Sequence, residues 1–485
     1  MLSIKNVLWT PHPGVQKENL RDLESVKVEF VKTRNIKSVS DHLSPVLRKL
    51  WKDPFLLGDM DKATDIVAEA VLKNKVISVI GDYDVDGSTS SALLYNFFSE
   101  IGIKINCMTP DRYLDGYGPS KRILESLRSV YKTDVVLVAD SGTTAFEAVE
   151  HAKTLGMKII VLDHHPTEGE TAKASALINP NKPGETIEEF KPLAAVGVSF
   201  LFIHSLFKKL REIKNASFPL PDLNFSKFLD LVAIGTICDV MPLTGLNRIF
   251  VMTGLSRFNE SCNEGIRVLS RRIFSGKKVN EKDIGFYVGP LINAGGRVGN
   301  SGAGVHFLTE KDPKIVESIL KDLVEFNKRR KSIETSSLSS LLNRLIDPQD
   351  LNGIVCFDQG LHLGVLGILA ARLKDKFLKP SCVLTKHNGE WTGSIRSIPG
   401  IDVGKIVGQL KDDGVLTKGG GHAMAAGVTL READLEKFIE LFNGKCHFDN
   451  VKPQKFYDGV LAPALIDRNL QLNLFGCFRA LRAQL

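Results

Sequence analysis

Five acidic residues and a histidine pair follow short apolar runs in this chain. Asp82, Asp84 and Asp86, in Gly81-Asp82-Tyr83-Asp84-Val85-Asp86-Gly87, come after the run 76–80. Asp140 comes after 135–138, and Asp163-His164-His165 comes after 159–162. Carboxylates crowded together repel one another and stay ionised only beside a compensating cation. A divalent metal supplies that charge, and this number of ligands fits two ions better than one.

The elements that must gather these groups are parallel strands. In an open α/β sheet, successive parallel strands deliver their carboxyl ends to one edge, where ligands bind. From about Asp53 to Leu308 the pattern alternates strand and helix with short links. Ala92, Leu93, Leu94, Phe97, Phe98 and Ile101 recur at helical spacing after the first acidic loop. A second helix is expected from Thr143 to Leu155, closed by Gly156. The stretch 228–239 fits a buried helix or a strand equally well, and 313–345 reads as a long amphipathic connecting helix. The predicted organisation is an N-terminal cap at 1–52, packed on the first domain, and a catalytic α/β domain at 53–308. A connecting helix at 309–348 leads to a second, smaller α/β domain at 349–445, and a terminal region follows at 446–485.

Composition fits a globular enzyme. A chain of 485 residues is too long for one core, and 43% hydrophobic with 25% charged residues is ordinary. The seven cysteines are scattered with no Cys-x-x-Cys pair, against a disulfide framework or a zinc ribbon. Residues 1–6 lack the layout of a signal peptide. The longest uncharged run, 192–207, contains His204 and is too short for a membrane helix. The expected compartment is reducing and aqueous, the cytoplasm. Net charge is +7 and the pI about 8.8. Because the acidic cluster is counted in that total, a larger positive surplus lies elsewhere, as a polyanionic substrate requires.

Four segments (Asp82/Asp84/Asp86, Asp140, Asp163-His164-His165 and Cys238-Asp239-Val240-Met241-Pro242-Leu243) resemble, in order, the motifs of the DHH phosphoesterase superfamily. More narrowly they resemble the RecJ family of single-strand-specific 5′→3′ DNA exonucleases. Pro110-Asp111-Arg112 with Gly116-Tyr117-Gly118, and Ile292-Asn293-Ala294-Gly295-Gly296-Arg297, carry the same resemblance. So do His362-Leu363-Gly364, Ser394-Ile395-Arg396-Ser397 and Gly419-Gly420-Gly421-His422, which are similar to the DHH-associated domain. The implied fold is an open, mostly parallel DHH-type sheet domain joined by a long helix to a smaller α/β domain.

The resemblance implies one ion held by Asp82, Asp84 and Asp140, and a second by Asp86, Asp140, His164 and Asp239, with Asp140 bridging. Oxygen-rich ligation with a single imidazole suits Mg²⁺ or Mn²⁺. His165 is expected to contact the phosphate or leaving group, and Asp163 to orient a histidine. Singly, Asp82 could be a helix N-cap, His165 a satisfied imidazole and Asp239 a turn residue before Pro242; it is the set that points to metal chemistry. For substrate binding, Asn293 and Arg297 lie in a glycine-rich turn, and Gly420, Gly421 and His422 could form a backbone anion nest. Ser394 and Arg396 add a hydroxyl and a fork, and His362 could be core or site. His151 reads as a solvated histidine.

The implied activity is metal-dependent degradation of single-stranded DNA to mononucleotides in repair and recombination. The implied partners are single-stranded DNA, a single-strand-binding protein and a helicase, with no membrane and a monomeric chain. A phosphodiesterase for short oligonucleotides or cyclic dinucleotides, and a non-catalytic DNA-binding scaffold, are the alternatives. At the carboxyl end, Tyr457-Asp458-Gly459-Val460-Leu461 and Asn473-Leu474-Phe475-Gly476 resemble the entry to an oligonucleotide-binding barrel, for which about 40 residues are too few.

Overall fold

The computed structural model describes residues 8–11, 19–20, 22, 25–26, 28–29, 38–167, 169–213, 218–345, 348–447, 454–457 and 460–461. These fall into two units, one drawn mainly from 14–326 and the other mainly from 327–458.

The first unit is built on a five-stranded parallel sheet: β1 (Ile77–Gly81), β2 (Asn106–Met108), β3 (Val135–Ala139), β4 (Lys158–Leu162) and β5 (Ala176–Ile178), in the spatial order β2-β1-β3-β4-β5. Covered parallel sheets bury both faces of their strands, which is why the central runs are almost wholly apolar; every residue of β1 and β3 is buried. The chain goes from β1 to β2 on one side and returns to β3 on the other. That reversal makes the edge where Gly81 pairs with Ala139 the switch point at which such sheets bind ligands.

Among the helices that accompany the sheet are α1 (Met60–Leu72), α2 (Val85–Glu100), α3 (Lys121–Ser129), α4 (Phe146–Thr154), α5 (Ala195–Ile213) and α6 (Leu229–Cys238). α2 is buried all round from Val85 to Leu94, wider than the single apolar face its spacing suggested. It packs against α5 and α6, and a Cβ at Gly87 would collide with the Asp82 backbone and one at Gly235 with Thr89. The ambiguous stretch 228–239 is therefore helical, because its small residue lets two helices cross closely. α4 starts three residues later than expected, since Gly142 takes φ +106° and Thr143 is used elsewhere. The predicted connecting helix is α7 (Pro313–Arg344), whose residues belong partly to each unit. No helix among the described residues is long and apolar enough to cross a membrane.

The second unit has β6 (Ile354–Phe357), α8 (Leu366–Phe377), β7 (Ser381–His387), β8 (Glu390–Arg396), α9 (Val403–Asp412), β9 (Lys418–His422), β10 (Ala425–Leu430) and α10 (Leu435–Lys445). Its sheet runs β9-β10-β8-β7-β6, with β6 parallel to β7 and the other pairs antiparallel. Leu384, Ile395, Val407, Phe438 and Phe442 fill its core. β8 alternates strictly between buried and half-buried residues, the period of a strand with one covered face.

Two expectations need correction. The cap at 1–52 is not one element packed on the first domain: Leu8–Pro11 pairs in parallel with Gln454–Tyr457, whereas Asn19–Leu20 pairs with Val460–Leu461. Gly419-Gly420-Gly421-His422 is not a nest but the edge strand β9, in which Gly420 lies opposite Gly427 and two bare backbones pair without hindrance. The barrel-entry motif at Asn473–Gly476 lies outside the described residues.

Candidate metal centre

The residues that follow the sheet's carboxyl ends are tied into the sheet itself. The Asp82 N–H donates to the Ala139 carbonyl (3.3 Å), Asp140 N–H to Leu162 (3.0 Å) and Asp163 N–H to Ile178 (3.0 Å). Each strand is thus laced to its neighbour one residue beyond its end, at the acid. Asp84 caps α2 by accepting the Gly87 N–H at 3.0 Å, so the N-cap considered for Asp82 belongs to Asp84. Asp86, in the first turn of α2, accepts the Ala195 N–H at 2.6 Å and the Val196 N–H at 2.9 Å. The amino end of α5 therefore holds that carboxylate. Asp239 closes α6 as its C-cap.

Three overlapping sets result, each with ligand atoms within 4.8 Å of one another: Asp82, Asp84 and Asp140; Asp86, His164 and Asp239; and Asp140, His164 and His165. His164 Nε2 lies 3.4 Å from Asp140 Oδ1, 3.4 Å from Asp239 Oδ2 and 3.8 Å from Asp86 Oδ2. It makes no hydrogen bond, and neither does the buried Asp82 Oδ1. Buried polar atoms left without partners are rare. Oxygen ligands about 2.1 Å from a Mg²⁺-sized ion stand roughly 3 Å apart, close to the separations here. The donor set fits Mg²⁺ or Mn²⁺: carboxylates predominate, with one imidazole whose other bond, to the Leu193 backbone, fixes its orientation.

Electrostatics agree. Burial first, then the neighbouring carboxylates, push Asp82, Asp86 and Asp140 well above the usual carboxylate range. Burial and the charge of Asp84 push Asp239 to about 7. Burial and the charge of His165 lower His164 to about 4, leaving the imidazole neutral, the form that can ligate a metal. His165 goes the other way: burial opposes its charge, but the Asp163 carboxylate, 2.8 Å from Nδ1, raises it to about 9. For Asp163, burial is outweighed by bonds from His165 and Thr143, and its pKa is lowered. Asp163 also accepts the Thr143 hydroxyl at 2.6 Å, and Asn179 at the end of β5 bonds both Thr143 Oγ1 and the His165 carbonyl at 2.9 Å. The expected orienting role of Asp163 thus has the geometry it needs. Backbone strain collects here too: Asp140 sits at φ +63° and Val240, a β-branched residue beside Asp239, at φ +57°.

Two family models match the chain, the DHH family N-terminal domain over residues 76–236 and the DHHA1 domain over 350–447. The single-stranded-DNA-specific exonuclease RecJ of Bacillus subtilis (strain 168) is 33% identical over 390 residues, which are 79% of this chain and 47% of that protein. RecJ of Dickeya dadantii (strain 3937) is 34% identical over 403 residues, covering 80% of this chain and 69% of the relative. The chain belongs to the RecJ family. The crystal structure of RecJ in complex with Mn²⁺ from Thermus thermophilus superposes with a TM-score of 0.79 at 26% identity, over 99% of this chain and 68% of that one. The chain spans about half of the Bacillus RecJ.

The RecJ-like substrate motifs divide between the units. In the first, Arg297 lies in a short helix, Gly295–Val298, and not in an open turn. A Cβ at Gly296 would come within 2.9 Å of the Tyr83 carbonyl, so the glycine lets its helix pack against the backbone between Asp82 and Asp84. Asn293 ends the preceding helix, Gly289–Ile292. In the second, the register places Ser394, Gly427 and Gly420 in one row and Arg396, Ala425 and His422 in the next on the same open face. Arg396 donates to Ser394 Oγ at 2.8 Å. Gly421 pairs with Ala426 in the alternate row, whose Ala426 and Val428 are buried, so it faces away from that trough. His362 Nδ1 accepts the Gly364 N–H at 3.1 Å, a capping contact. His151 is not simply solvated: its Nε2 lies 3.0 Å from Glu125.

Sequence reasoning placed Arg112 in a family motif but gave it no role; its guanidinium lies 4.0 Å from the centre of the Tyr83 ring, with a buried Nε that has no hydrogen-bond partner. Its charge reaches Asp82. Sequence reasoning missed Thr143 and Asn179. A polar residue right after a short apolar run was the available signal for Asn179.

Proposed function

We propose that this chain is a metal-dependent 5′→3′ exonuclease that hydrolyses single-stranded DNA to mononucleotides, with the repair and recombination role that its family implies. The observation that carries this reading is the convergence of Asp82, Asp140 and His164 after adjacent strand ends with Asp84, Asp86 and Asp239 from helix ends, with Asp82 Oδ1 and His164 Nε2 lacking hydrogen-bond partners. Asp82, Asp84 and Asp140 would hold one ion, and Asp86, His164 and Asp239 with Asp140 the other. Bound Mg²⁺ or Mn²⁺ would neutralise phosphoryl charge and activate water for in-line attack.

The chain's own residues supply the rest. His165 keeps its proton near neutral pH because Asp163 holds Nδ1, so an imidazolium is available to a phosphoryl or leaving-group oxygen. Arg112 stacks over the Tyr83 ring, and the charges of Arg112 and Arg297 both act on its phenol, which is nonetheless pushed up to about 12 by burial and, less, by the carboxylates. Both arginines are cations suited to a DNA phosphate. In the second unit, Ser394, Arg396 and His422 project around a floor of glycine and alanine and would contact the sugar–phosphate backbone, with Gly420 and Gly427 allowing close approach. Polarity rests on the family resemblance, as do a monomeric state and partnership with a single-strand-binding protein and a helicase.

The deciding experiment digests single strands labelled at either end, duplex DNA, dinucleotide and pyrophosphate with Mg²⁺ or Mn²⁺ and compares rates. Mononucleotides released from the 5′ end of single strands are expected. Equal attack on blunt duplex, or a preference for dinucleotide, refutes the assignment.

A further inference from the structure

The loop between β2 and α3 carries two tyrosines to which the reaction as proposed assigns nothing. The Tyr113 hydroxyl donates to the Arg297 carbonyl oxygen at 2.8 Å, and the Tyr117 hydroxyl donates to the Asp140 carbonyl oxygen at 2.8 Å. The Tyr117 oxygen also lies 3.2 Å from His165 Nδ1 and 3.3 Å from Nε2, with the two rings edge to face and their centres 5.8 Å apart. One short loop therefore reaches both the Arg297 backbone and the residue expected to bridge the ions.

The loop is built to bring Tyr117 down. The fully buried Asp115 carboxylate gathers the Asp111 N–H (2.8 Å), the Ser120 hydroxyl (2.6 Å) and Arg122 Nε (2.8 Å). Asp111 in turn accepts the Tyr113 and Leu114 N–H groups at 2.8 and 3.0 Å. Gly116 and Gly118, at φ +78° and +77°, set Tyr117 between two left-handed turns that other residues adopt poorly. A Cβ at Gly118 would approach Ser141 Cβ to 3.2 Å, so the loop presses directly on the residue after Asp140.

Asp140 needs holding. It is a non-glycine residue at φ +63°, a conformation that persists only where its surroundings enforce it. Its N–H is fixed by Leu162, and Tyr117 takes its carbonyl. We infer that Tyr117 is a positioning residue: its hydroxyl fixes the left-handed backbone of Asp140 and abuts the His165 ring, so that the Asp140 carboxylate and the imidazole meet ions and phosphate in one orientation. This rests on the metal-nuclease reading of the same site.

Tyr117→Phe in the full chain removes only the oxygen. Three quantities are measured: Mn²⁺ affinity by calorimetry, kcat and KM on a labelled single strand, and Tm. Loss of one hydrogen bond predicts Mn²⁺ affinity and kcat each falling roughly fivefold or more. KM should stay within about twofold, with Tm moving by no more than about 3 °C. Affinity and kcat both within twofold of the unsubstituted chain overturn the inference. Should Tyr117→Phe not fold, Arg122→Ala, at a half-exposed side chain, loosens the same loop through Asp115. It should weaken Mn²⁺ binding about twofold or more, and unchanged affinity there overturns the inference equally. Asp140→Ala separates the two readings: if it stays active the metal-nuclease reading fails, whereas if it is inactive and Tyr117→Phe is normal only the role of Tyr117 fails.

Discussion

Lowering the pH should expel the metal, with a size that Asp239 fixes. In the metal-free site its pKa is about 7, from burial and the charge of Asp84. An ion binds the carboxylate and not the acid. At pH 8 about nine-tenths of the Asp239 side chains are ionised and at pH 6 about one-tenth, so affinity should fall about tenfold between them, about 1.4 kcal/mol. Asp82, Asp86 and Asp140 are shifted in the same direction, which makes tenfold a floor. His164, lowered to about 4, is neutral at both pH values and adds nothing. The linkage to stability has a definite sign. A carboxyl raised on folding stabilises the metal-free protein below its unfolded pKa, near 4, and that contribution is lost as pH rises through about 7 for Asp239. Added Mn²⁺ should therefore raise Tm more at pH 8 than at pH 6. Calorimetric titration with Mn²⁺, in buffers of low and high ionisation enthalpy, counts the protons: about one or more released per chain at pH 6, fewer at pH 8. Asp239→Asn should flatten the dependence. Equal affinity at both pH values, or proton uptake on binding, refutes the reasoning.

Other consequences can be checked in parallel. Asp140→Ala strips a ligand from both proposed ions, so nuclease activity should drop to near background while circular dichroism shows the fold intact; more than a few per cent activity at saturating metal contradicts the bridge. Gly296→Ala drives a Cβ to 2.9 Å from the Tyr83 carbonyl and should weaken Mn²⁺ binding, which titration would register. Arg297→Ala should reduce the salt slope of single-strand binding by about 0.7 if it neutralises one phosphate. Asp230, buried and raised to about 6 mainly by burial, should withdraw up to about 3 kcal/mol of stability as pH climbs from 4 through 6. Asp230→Asn should then gain in Tm over the unsubstituted chain at pH 8 but not at pH 4.

The metal centre was legible because its chemistry sits in a local pattern. Apolar runs that end in acids are what a covered parallel sheet produces, and Asp82 and Asp140, expected as ligands, and Asp163, expected to orient a histidine, emerged at the ends of adjacent strands. What stayed hidden depends on distant partners. β5 has three residues, too few to show a period, so Asn179 went unnoticed. Arg112 and Tyr117 gain their meaning from Tyr83 and Asp140, remote in sequence. The glycine run misled for a related reason: glycine usually marks a turn, but here it faces another glycine across a strand pair, a fact that only the register reveals.

The lacing of Asp82, Asp140 and Asp163 to the neighbouring strands' last carbonyls bears on how the centre breathes. A ligand on a loop can swing out at little cost while the rest of the protein stays folded. Here none of these three acids can leave without parting the central strands, so opening the centre costs nearly as much as unfolding the unit. The amides of Asp140 and Asp163 should accordingly exchange with solvent deuterium as slowly as those in the middle of β3. Heat should then not produce a folded but catalytically incompetent form: loss of activity and loss of structure should share a single midpoint, and a chelated sample should recover on adding Mn²⁺ without a refolding step.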